Sequence, residues 1–378
     1  MKIGIISMQR ITNYGSFLQA YGLMNEIKKL GHSVEFIDYK VNPCIVKSVT
    51  NNKKVKKTTN VIEKIYRLRN AIACKRYHLA FDQHKQFFQR YSTEYMRWLG
   101  IGQEQKLNSK VDILVIGSDE VFNCLQTNKN VGYSLELFGK NANASKIISY
   151  AASFGNTTIK GLKKYGVDHE IAEMLCKFSA ISVRDNNSYD IVKELVGITP
   201  EKHLDPVLIY DFNREVSECK AKKPFSKYIV VYAYAGRISK EEGRIISRFA
   251  KKKGAKLVAI GGEHSFCDVS IYPTPFEVLK IVKNADYVIT DTFHGTVFSI
   301  KYNKKFATIV RSGQEQTYGN SEKLRDLLLT FKLENREVKN IEGLENILEK
   351  DISYDSVNEI IIQQREKTRM YLNTFLNI

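Results

Sequence analysis

Short apolar runs alternate with amphipathic segments along the N-terminal half of the chain. Between the first two runs, segment 16–30 repeats apolar residues at helical spacing and ends at Gly31, a typical helix stop. A short strand, a helix and a second strand form the βαβ unit of a parallel sheet. The pattern predicts strands at 2–7, 34–38, 111–117, 147–151 and 180–183.

The pattern starts again after segment 203–227, which begins near Asp205-Pro206 and ends in a basic stretch. We therefore expect an α/β fold of two Rossmann-like domains, 1–205 and 206–350, that face each other across a cleft. Residues 351–378 are expected to form a C-terminal helix that packs back on the first domain. In the second domain the pattern predicts strands at 228–234, 256–260, 287–290 and 306–310, and helices at 240–253, 276–284 and 295–302.

Length and composition narrow the class of protein. A chain of 378 residues with 43% hydrophobic and 26% charged residues is typical of a globular protein with two domains. The run 228–234 is too short to cross a bilayer and the run 3–6 too short for a signal-peptide core, so we expect a cytoplasmic protein. The six cysteines lack C-x-x-C spacing, which predicts reduced structural thiols and no metal site.

Positive charge is concentrated in segment 47–97, which we interpret as a basic insertion in the first domain. The formal net charge of the chain is +17, and an anionic partner or substrate is therefore expected. The segment begins with a Lys-rich part, 51–60, that is typical of a mobile loop. After it, Val61, Ile65, Leu68 and Ile72 recur at helical spacing and predict a basic amphipathic helix.

This basic insertion has two open interpretations. It is either a solvated helix face, or a surface that brings the protein to anionic lipid or a lipid-linked diphosphate at the inner face of the membrane. Nucleic acid is disfavoured, because no helix-turn-helix, zinc-finger or RNA-binding signature accompanies the charge. A non-enzymatic binding module would make this insertion the whole function.

The chemistry of an open α/β sheet is expected beyond the carboxyl ends of its strands. The first strand leads into segment 7–16, which lacks the G-x-G-x-x-G pattern of nicotinamide enzymes. Asn13, Gly15 and Ser16 form a polar turn that opens a helix. Its N–H groups could bind an anion or a sugar hydroxyl, or Asn13 could serve only as a helix cap.

Two adjacent carboxylates follow the third predicted strand, in the sequence Ser118-Asp119-Glu120. They could bind a metal, orient sugar hydroxyls or act as a general base. A metal is disfavoured, because no third ligand occurs at a recognisable spacing. Alternatively, Ser118 caps a helix, and the two carboxylates only interact favourably with the positive end of the helix dipole.

Arg184 follows the predicted strand 180–183, where a buried guanidinium needs a partner. Its planar fork suits a carboxylate or a phosphate of a ligand. An ion pair with Asp185 or another acid is the alternative.

His294 lies between a predicted strand that runs into Thr292 and a predicted helix opened by Gly295 and Thr296. This placement puts a titratable group beside N–H groups at the positive end of a helix dipole, which would make a phosphate cradle. The alternative is a structural histidine.

Taken together, these segments resemble the polysaccharide pyruvyl transferase family. The order of the matching pieces holds from the first residue to about Glu334. The pieces are N-Y-G-S-F-L-Q-A-Y at 13–21, I-G-S-D-E-V-F-N at 116–123, S-Y-A-A-S-F-G at 149–155, S-V-R-D at 182–185, L-D-P at 204–206 and T-D-T-F-H-G-T-V-F-S at 290–299.

The resemblance implies a two-domain fold like that of B-type glycosyltransferases. It also implies transfer of pyruvate from phosphoenolpyruvate to two hydroxyls of a sugar as a cyclic ketal, in the synthesis of capsules, exopolysaccharides or wall polymers, with no other cofactor. Arg184 and His294 would belong to the donor site, and the first domain would hold the acceptor. A nucleotide-sugar-dependent glycosyltransferase is the alternative with the same architecture.

Roles can be proposed for the residues on this basis. Arg184 would clamp an anionic group of the donor, while His294 with the Gly295 and Thr296 N–H groups would stabilise the departing phosphate or protonate the enol carbon. Asp119 is the candidate base for the acceptor hydroxyl, with Glu120 as the reserve.

The chain departs from the family pattern at two positions. Ser16 stands where many relatives have Asp, and Thr292 stands where many have Arg. Either another basic residue, such as Arg237 or Arg311, replaces the missing guanidinium at the donor site, or the phosphate is held in a different way.

Overall fold

The computed structural model describes residues 1–46, 61–79, 84–311 and 321–377. The Lys-rich part of the basic insertion, 51–60, lies outside the described residues. Among the described residues, no helix combines the length and the apolar character that crossing a bilayer requires.

The first sheet has six parallel strands, and its central strands β1 and β3 are nearly continuous apolar runs, as expected for strands that helices cover on both faces. Its spatial order is β2-β1-β3-β4-β5-β6, so the direction of the order reverses between β1 and β3. The strands are β1 Lys2–Ile6, β2 Ser33–Phe36, β3 Val111–Asp119, β4 Ala144–Ala152, β5 Ser182–Val183 and β6 Glu201–Lys202.

The second sheet also has six parallel strands, in the order β12-β11-β10-β7-β8-β9. Read from the other edge, this is the strand order of a dinucleotide-binding Rossmann domain, with its reversal between β7 and β10. The strands are β7 Tyr228–Tyr232, β8 Lys256–Ile260, β9 Val269–Ile271, β10 Tyr287–Thr290, β11 Lys305–Ile309 and β12 Glu337–Val338. The predicted fold class, two Rossmann-like domains that face each other, is confirmed.

The helices cover the faces of both sheets, with several short helical turns in the connections. They are α1 Tyr14–Lys29, α2 Val61–Arg76, α3 His84–Arg90, α4 Met96–Trp98, α5 Ile159–Tyr165, α6 Asp168–Leu175, α7 Asn186–Val196, α8 Pro206–Ile209, α9 Asn213–Glu218, α10 Lys240–Lys253, α11 Pro275–Asn284, α12 Phe293–Lys301, α13 Ser321–Thr330, α14 Leu344–Glu349 and α15 Tyr354–Leu376.

The C-terminal helix α15 contacts the first sheet. The Tyr371 hydroxyl donates to the Ser149 carbonyl at 2.7 Å, and the hydroxyls of Tyr150 and Thr368 lie 3.0 Å apart. These buried hydrogen bonds attach the end of the chain to β4. The division of the chain at residues 205 and 206 stays a prediction.

Polar contacts across the domain interface hold the ends of the two sheets close together. The Tyr14 hydroxyl at the start of α1 donates to the Pro273 carbonyl at 2.8 Å. The Asn70 amide on α2 forms two hydrogen bonds with the Ser270 backbone on β9, at 2.5 and 2.7 Å. The two halves are therefore in direct contact at β9 and the residues that follow it.

Candidate active site

A cavity of about 160 Å³ lies where the strand-order reversals of the two sheets face each other. Side chains from the ends of β1, β3 and β5 line it on one side, and side chains from the ends of β7 and β10 line it on the other. The central lining residues are Asp119, Glu120, Arg184, Arg237, His294 and Lys323. Ligands of open α/β sheets bind at this place in the fold.

Arg184 lies at the base of this cavity with its guanidinium almost fully buried. Its Nη1 donates to Asp205 Oδ2 at 2.7 Å, and its Nη2 lies 3.6 Å from Asp119 Oδ1. The Phe293 ring lies 4.3 Å from the guanidinium carbon. Burial alone would lower the pKa of Arg184, but the facing carboxylates keep that pKa raised.

His294 is the second residue of α12, which begins two residues earlier than the sequence predicted. The helix begins there because Thr292 caps it, with its hydroxyl accepting from the Gly295 N–H at 3.0 Å. The His294 imidazole points across the domain interface and packs against Gly15. A Cβ atom at residue 15 would fall on that ring, so this position requires glycine.

Asp205 joins the two predicted donor residues. The same oxygen, Oδ2, lies 2.7 Å from Arg184 Nη1 and 3.4 Å from His294 Nε2. Burial would raise the pKa of Asp205, but the attraction of His294 and Arg184 outweighs it and lowers the pKa. Sequence reasoning included Asp205 only as part of the L-D-P turn and missed its place in the site.

Arg184 Nε is buried and has no hydrogen-bond partner among the described residues. His294 Nε2 is also buried; it faces Asp205 Oδ2 at 3.4 Å without hydrogen-bond geometry. Both residues line the cavity. A buried donor without a partner costs free energy. The pair is therefore well suited to a ligand that carries hydrogen-bond acceptors.

Asp119 ends β3 beside Arg184 and is also in the cavity. Its Oδ2 accepts from the Ser16 hydroxyl at 2.7 Å, which brings the polar turn of α1 to the same carboxylate. Glu120 forms an ion pair with Lys323 on α13 and accepts from the Asn123 amide at 2.7 Å.

These partners of Glu120 set its acidity. Burial would raise the pKa of Glu120, but Lys323 and Asn123 together lower it to about 2. Sequence reasoning missed Lys323, because no motif surrounds it.

Asn13 lines the cavity and caps α1 by accepting from the Gly15 N–H at 2.7 Å. Its amide nitrogen donates to the Tyr234 hydroxyl of the second domain at 2.5 Å. Asn13 is therefore both a helix cap and a polar bridge across the entrance of the cavity.

The two candidate arginines of the second domain occupy different places. Arg237 lines the cavity and lies 3.6 Å from the buried Asp291 carboxylate. Arg311 forms an ion pair with Glu242 at 2.5 Å and donates to the Arg237 carbonyl at 2.7 Å, outside the cavity lining. Of these two arginines, Arg237 alone lines the cavity, and its role at the donor site stays a prediction.

Three other predicted binding residues form hydrogen bonds with other residues of the chain. The Gly295 and Thr296 N–H groups both donate to Thr292, so these two N–H groups already have acceptors within the chain, and their role in a phosphate cradle stays a prediction. The Phe293 and His294 N–H groups of the first turn have no acceptor among the described contacts. Ser118 is fully buried and donates to the Ala151 carbonyl at 2.9 Å, so its role in binding substrate is also not supported.

The cavity is balanced in charge rather than uniformly basic. Arg184 faces Asp205 and Asp119, Lys323 faces Glu120, and Arg237 faces Asp291. Among the described residues, no group of three or more His, Cys, Asp or Glu side chains is placed to hold a metal ion.

Comparison with known proteins yields one family and several distant structures. The sequence profile named polysaccharide pyruvyl transferase matches residues 13–313. No curated protein matches the chain.

The solved structures share little sequence with the chain. The spinosyn rhamnosyltransferase SpnG is 9% identical over 100% of both chains, with a TM-score of 0.46. The Streptomyces sp. SF2575 glycosyltransferase SsfS6, complexed with thymidine diphosphate, is 12% identical over 97% of this chain and 96% of its own, with a TM-score of 0.44. The UDP-GlcNAc 2-epimerase from Neisseria meningitidis is 9% identical over 97% of this chain and 100% of its own, with a TM-score of 0.41.

Proposed function

The chain belongs to the polysaccharide pyruvyl transferase family, and on that premise we propose that it transfers pyruvate from phosphoenolpyruvate to two hydroxyls of a sugar. The acceptor is a saccharide, free or lipid-linked, and the product is a cyclic ketal. The proposal includes a cytoplasmic site of action in the synthesis of a capsule, exopolysaccharide or wall polymer.

One observation carries the proposal. Arg184 and His294 line one small cavity, share one Asp205 oxygen and each have a buried nitrogen that forms no hydrogen bond among the described residues. Phosphoenolpyruvate is a small molecule with two anionic groups, a carboxylate and a phosphate. The planar guanidinium suits a bidentate contact with either group, and the imidazole can hold or donate a proton.

The second anionic group needs another cationic partner. Arg237 supplies it in this proposal, since it lines the same cavity from the second domain. The unpaired N–H groups of Phe293 and His294 at the start of α12 add the positive end of a helix dipole. Donor binding therefore uses groups from both domains.

The atoms and charges of this reaction balance when two protons of the acceptor are transferred. The enol carbon C3 accepts a proton, one acceptor hydroxyl attacks C2, and the second hydroxyl displaces the phosphate. Of the two protons that the acceptor loses, one ends on the new methyl group and the other on the released phosphate. His294 is the proposed acid at C3 or at the leaving phosphate, since it is the imidazole of the cavity.

Asp119 is the proposed base on the acceptor side. It lines the cavity near Arg184, and the Ser16 hydroxyl fixes one of its oxygens. Glu120 is the weaker candidate, because its pKa of about 2 makes it a poor proton acceptor. Glu120 instead holds Lys323 at the wall of the cavity.

The test is an assay of phosphate release from phosphoenolpyruvate with and without saccharide acceptors, followed by mass spectrometry of the acceptor. We expect acceptor-dependent phosphate release and a mass gain of one pyruvate ketal. His294→Ala and Arg184→Lys should abolish turnover while circular dichroism shows a folded protein. Near wild-type turnover in either variant would refute the role of that residue.

A thermal-shift screen separates this function from the alternative. A ligand that binds only the folded state raises the melting temperature. Stabilisation by phosphoenolpyruvate supports the proposal. Stabilisation by nucleotide sugars, with none by phosphoenolpyruvate, would instead indicate a glycosyltransferase.

A further inference from the structure

Helix α2 carries an exposed apolar stripe, formed by Val61, Ile65, Leu68 and Ile72. These four side chains are 71, 54, 64 and 60% exposed. Successive residues advance by about 100° around an α-helix, so the four lie within about 60° of one another. Single exposed apolar residues are common, but a continuous stripe of four on one helix face marks an interaction surface.

The opposite face of α2 is fixed to the second domain. The Asn70 side chain bonds to the Ser270 N–H and carbonyl on β9, and Cys74 is fully buried. By the same helical spacing, these residues point about 170° away from the centre of the stripe. The helix is therefore held with its apolar stripe facing outward.

Cationic side chains border the apolar stripe on both sides. Lys64 and Lys75 fall along one edge of it, and Arg69 and Arg76 fall along the other. All four residues are exposed. Their long stems allow the charged ends to reach past the stripe, as in helices that lie at a membrane interface.

We propose that this face of α2 docks in the plane of a lipid bilayer that contains anionic lipids. The apolar stripe would enter the interface, while the two rows of cations contact anionic headgroups. Nucleic acid would use the cations but not a stripe of Val, Ile and Leu. A second copy of the chain would bring like charges together around the stripe.

This docking is independent of the chemistry in the cavity, because α2 contributes no side chain to the cavity lining. It does favour one kind of acceptor. An enzyme held at a membrane by its first domain meets saccharides that are linked to lipid at that surface.

The experiment is co-sedimentation of the full chain with vesicles of phosphatidylcholine alone, or of phosphatidylcholine with phosphatidylglycerol. We expect binding to the anionic vesicles that weakens as salt is raised, and little binding to the neutral ones. The double variant Leu68→Asp/Ile72→Asp should bind the anionic vesicles at least about tenfold more weakly, because it removes apolar contact and adds like charge.

A matched control changes the same total charge elsewhere. Arg244→Gln/Arg248→Gln lowers the net charge by 2, as Leu68→Asp/Ile72→Asp does; it lies on exposed positions of α10 in the second domain and should change vesicle binding less than about twofold. Equal losses in both double variants would overturn the proposal in favour of non-specific charge attraction, and no binding by the wild type would overturn it outright. If sedimentation velocity shows a dimer that Leu68→Asp/Ile72→Asp dissociates, the stripe is an interface between copies and the proposal is wrong.

Discussion

Replacing Asp205 by Asn tests whether one buried carboxylate positions both proposed donor residues. The substitution keeps the shape of the side chain and the bond from the Val207 N–H, which is 2.9 Å long. It removes the negative charge that lies 2.7 Å from Arg184 and 3.4 Å from His294. Arg184 and His294 then lose their common partner.

These contacts determine how much stability and activity Asp205→Asn should lose. Breaking a buried ion pair costs about 3–5 kcal/mol, because it leaves a buried charge uncompensated. Asp119 still faces Arg184 at 3.6 Å, so we expect the lower end, a loss of about 3 kcal/mol in the free energy of unfolding. A reacting group displaced by about 1 Å loses on the order of a hundredfold in rate, which we expect for kcat of Asp205→Asn.

The assay combines urea unfolding with phosphate release at saturating phosphoenolpyruvate. Asp211→Asn is the matched control, because Asp211 is exposed and its side chain accepts one backbone N–H, from Asn213 at 2.9 Å. It should change stability by less than about 1 kcal/mol and leave kcat unchanged. If Asp205→Asn unfolds like the wild type and retains its kcat, Asp205 does not position the donor residues.

The same variant has a defined pH dependence. The pKa of Asp205 is lowered in the folded protein from its ordinary value of 3.8. Its carboxylate therefore stabilises the fold fully above about pH 4, and this contribution is lost as pH falls through the lowered pKa. The difference in unfolding free energy between wild type and Asp205→Asn should shrink below about pH 4. A difference that stays constant with pH would contradict the assigned charge.

Two further predictions concern contacts between the domains. Gly15→Ala should lower kcat/KM at least about tenfold, because its Cβ displaces the His294 ring, whereas Gly102→Ala, with nothing near the added Cβ, should change neither activity nor melting temperature. The ion pair of Glu120 with Lys323 should contribute on the order of 3 kcal/mol above about pH 4.5, and this contribution should be lost as pH falls from there to about 2. Urea unfolding of wild type and Lys323→Met across that range checks it, and parallel pH profiles would contradict it.

The sequence was sufficient to predict the central strands of both sheets. Runs such as β8 and β10 are mostly apolar, and their predicted and observed limits are identical. The outer strands β6, β9 and β12 were not predicted, because runs of two or three residues carry no periodicity. Pairing with a neighbouring strand, which the local sequence does not encode, makes them part of the sheet.

The residues of the candidate site also fall into two groups, those that the sequence predicts and those that it does not. Asp119, Arg184 and His294 follow strands directly, so parallel topology alone predicts that they meet at the sheet ends. Lys323 reaches the cavity, and Asp205 reaches Arg184 and His294, through chain segments whose direction the sequence does not reveal. The two carboxylates that face Arg184 make this part of the site a cluster of paired charges.

The central claim is that the Arg184 guanidinium and the His294 imidazole bind the same molecule of phosphoenolpyruvate. Titration calorimetry with phosphoenolpyruvate tests this claim most directly. The proteins are the wild type, Arg184→Lys, His294→Ala and the double variant. The account predicts that each single variant binds at least about tenfold more weakly, and that the double variant loses less than the product of the two losses, because both residues share Asp205. Wild-type affinity in both single variants would contradict it.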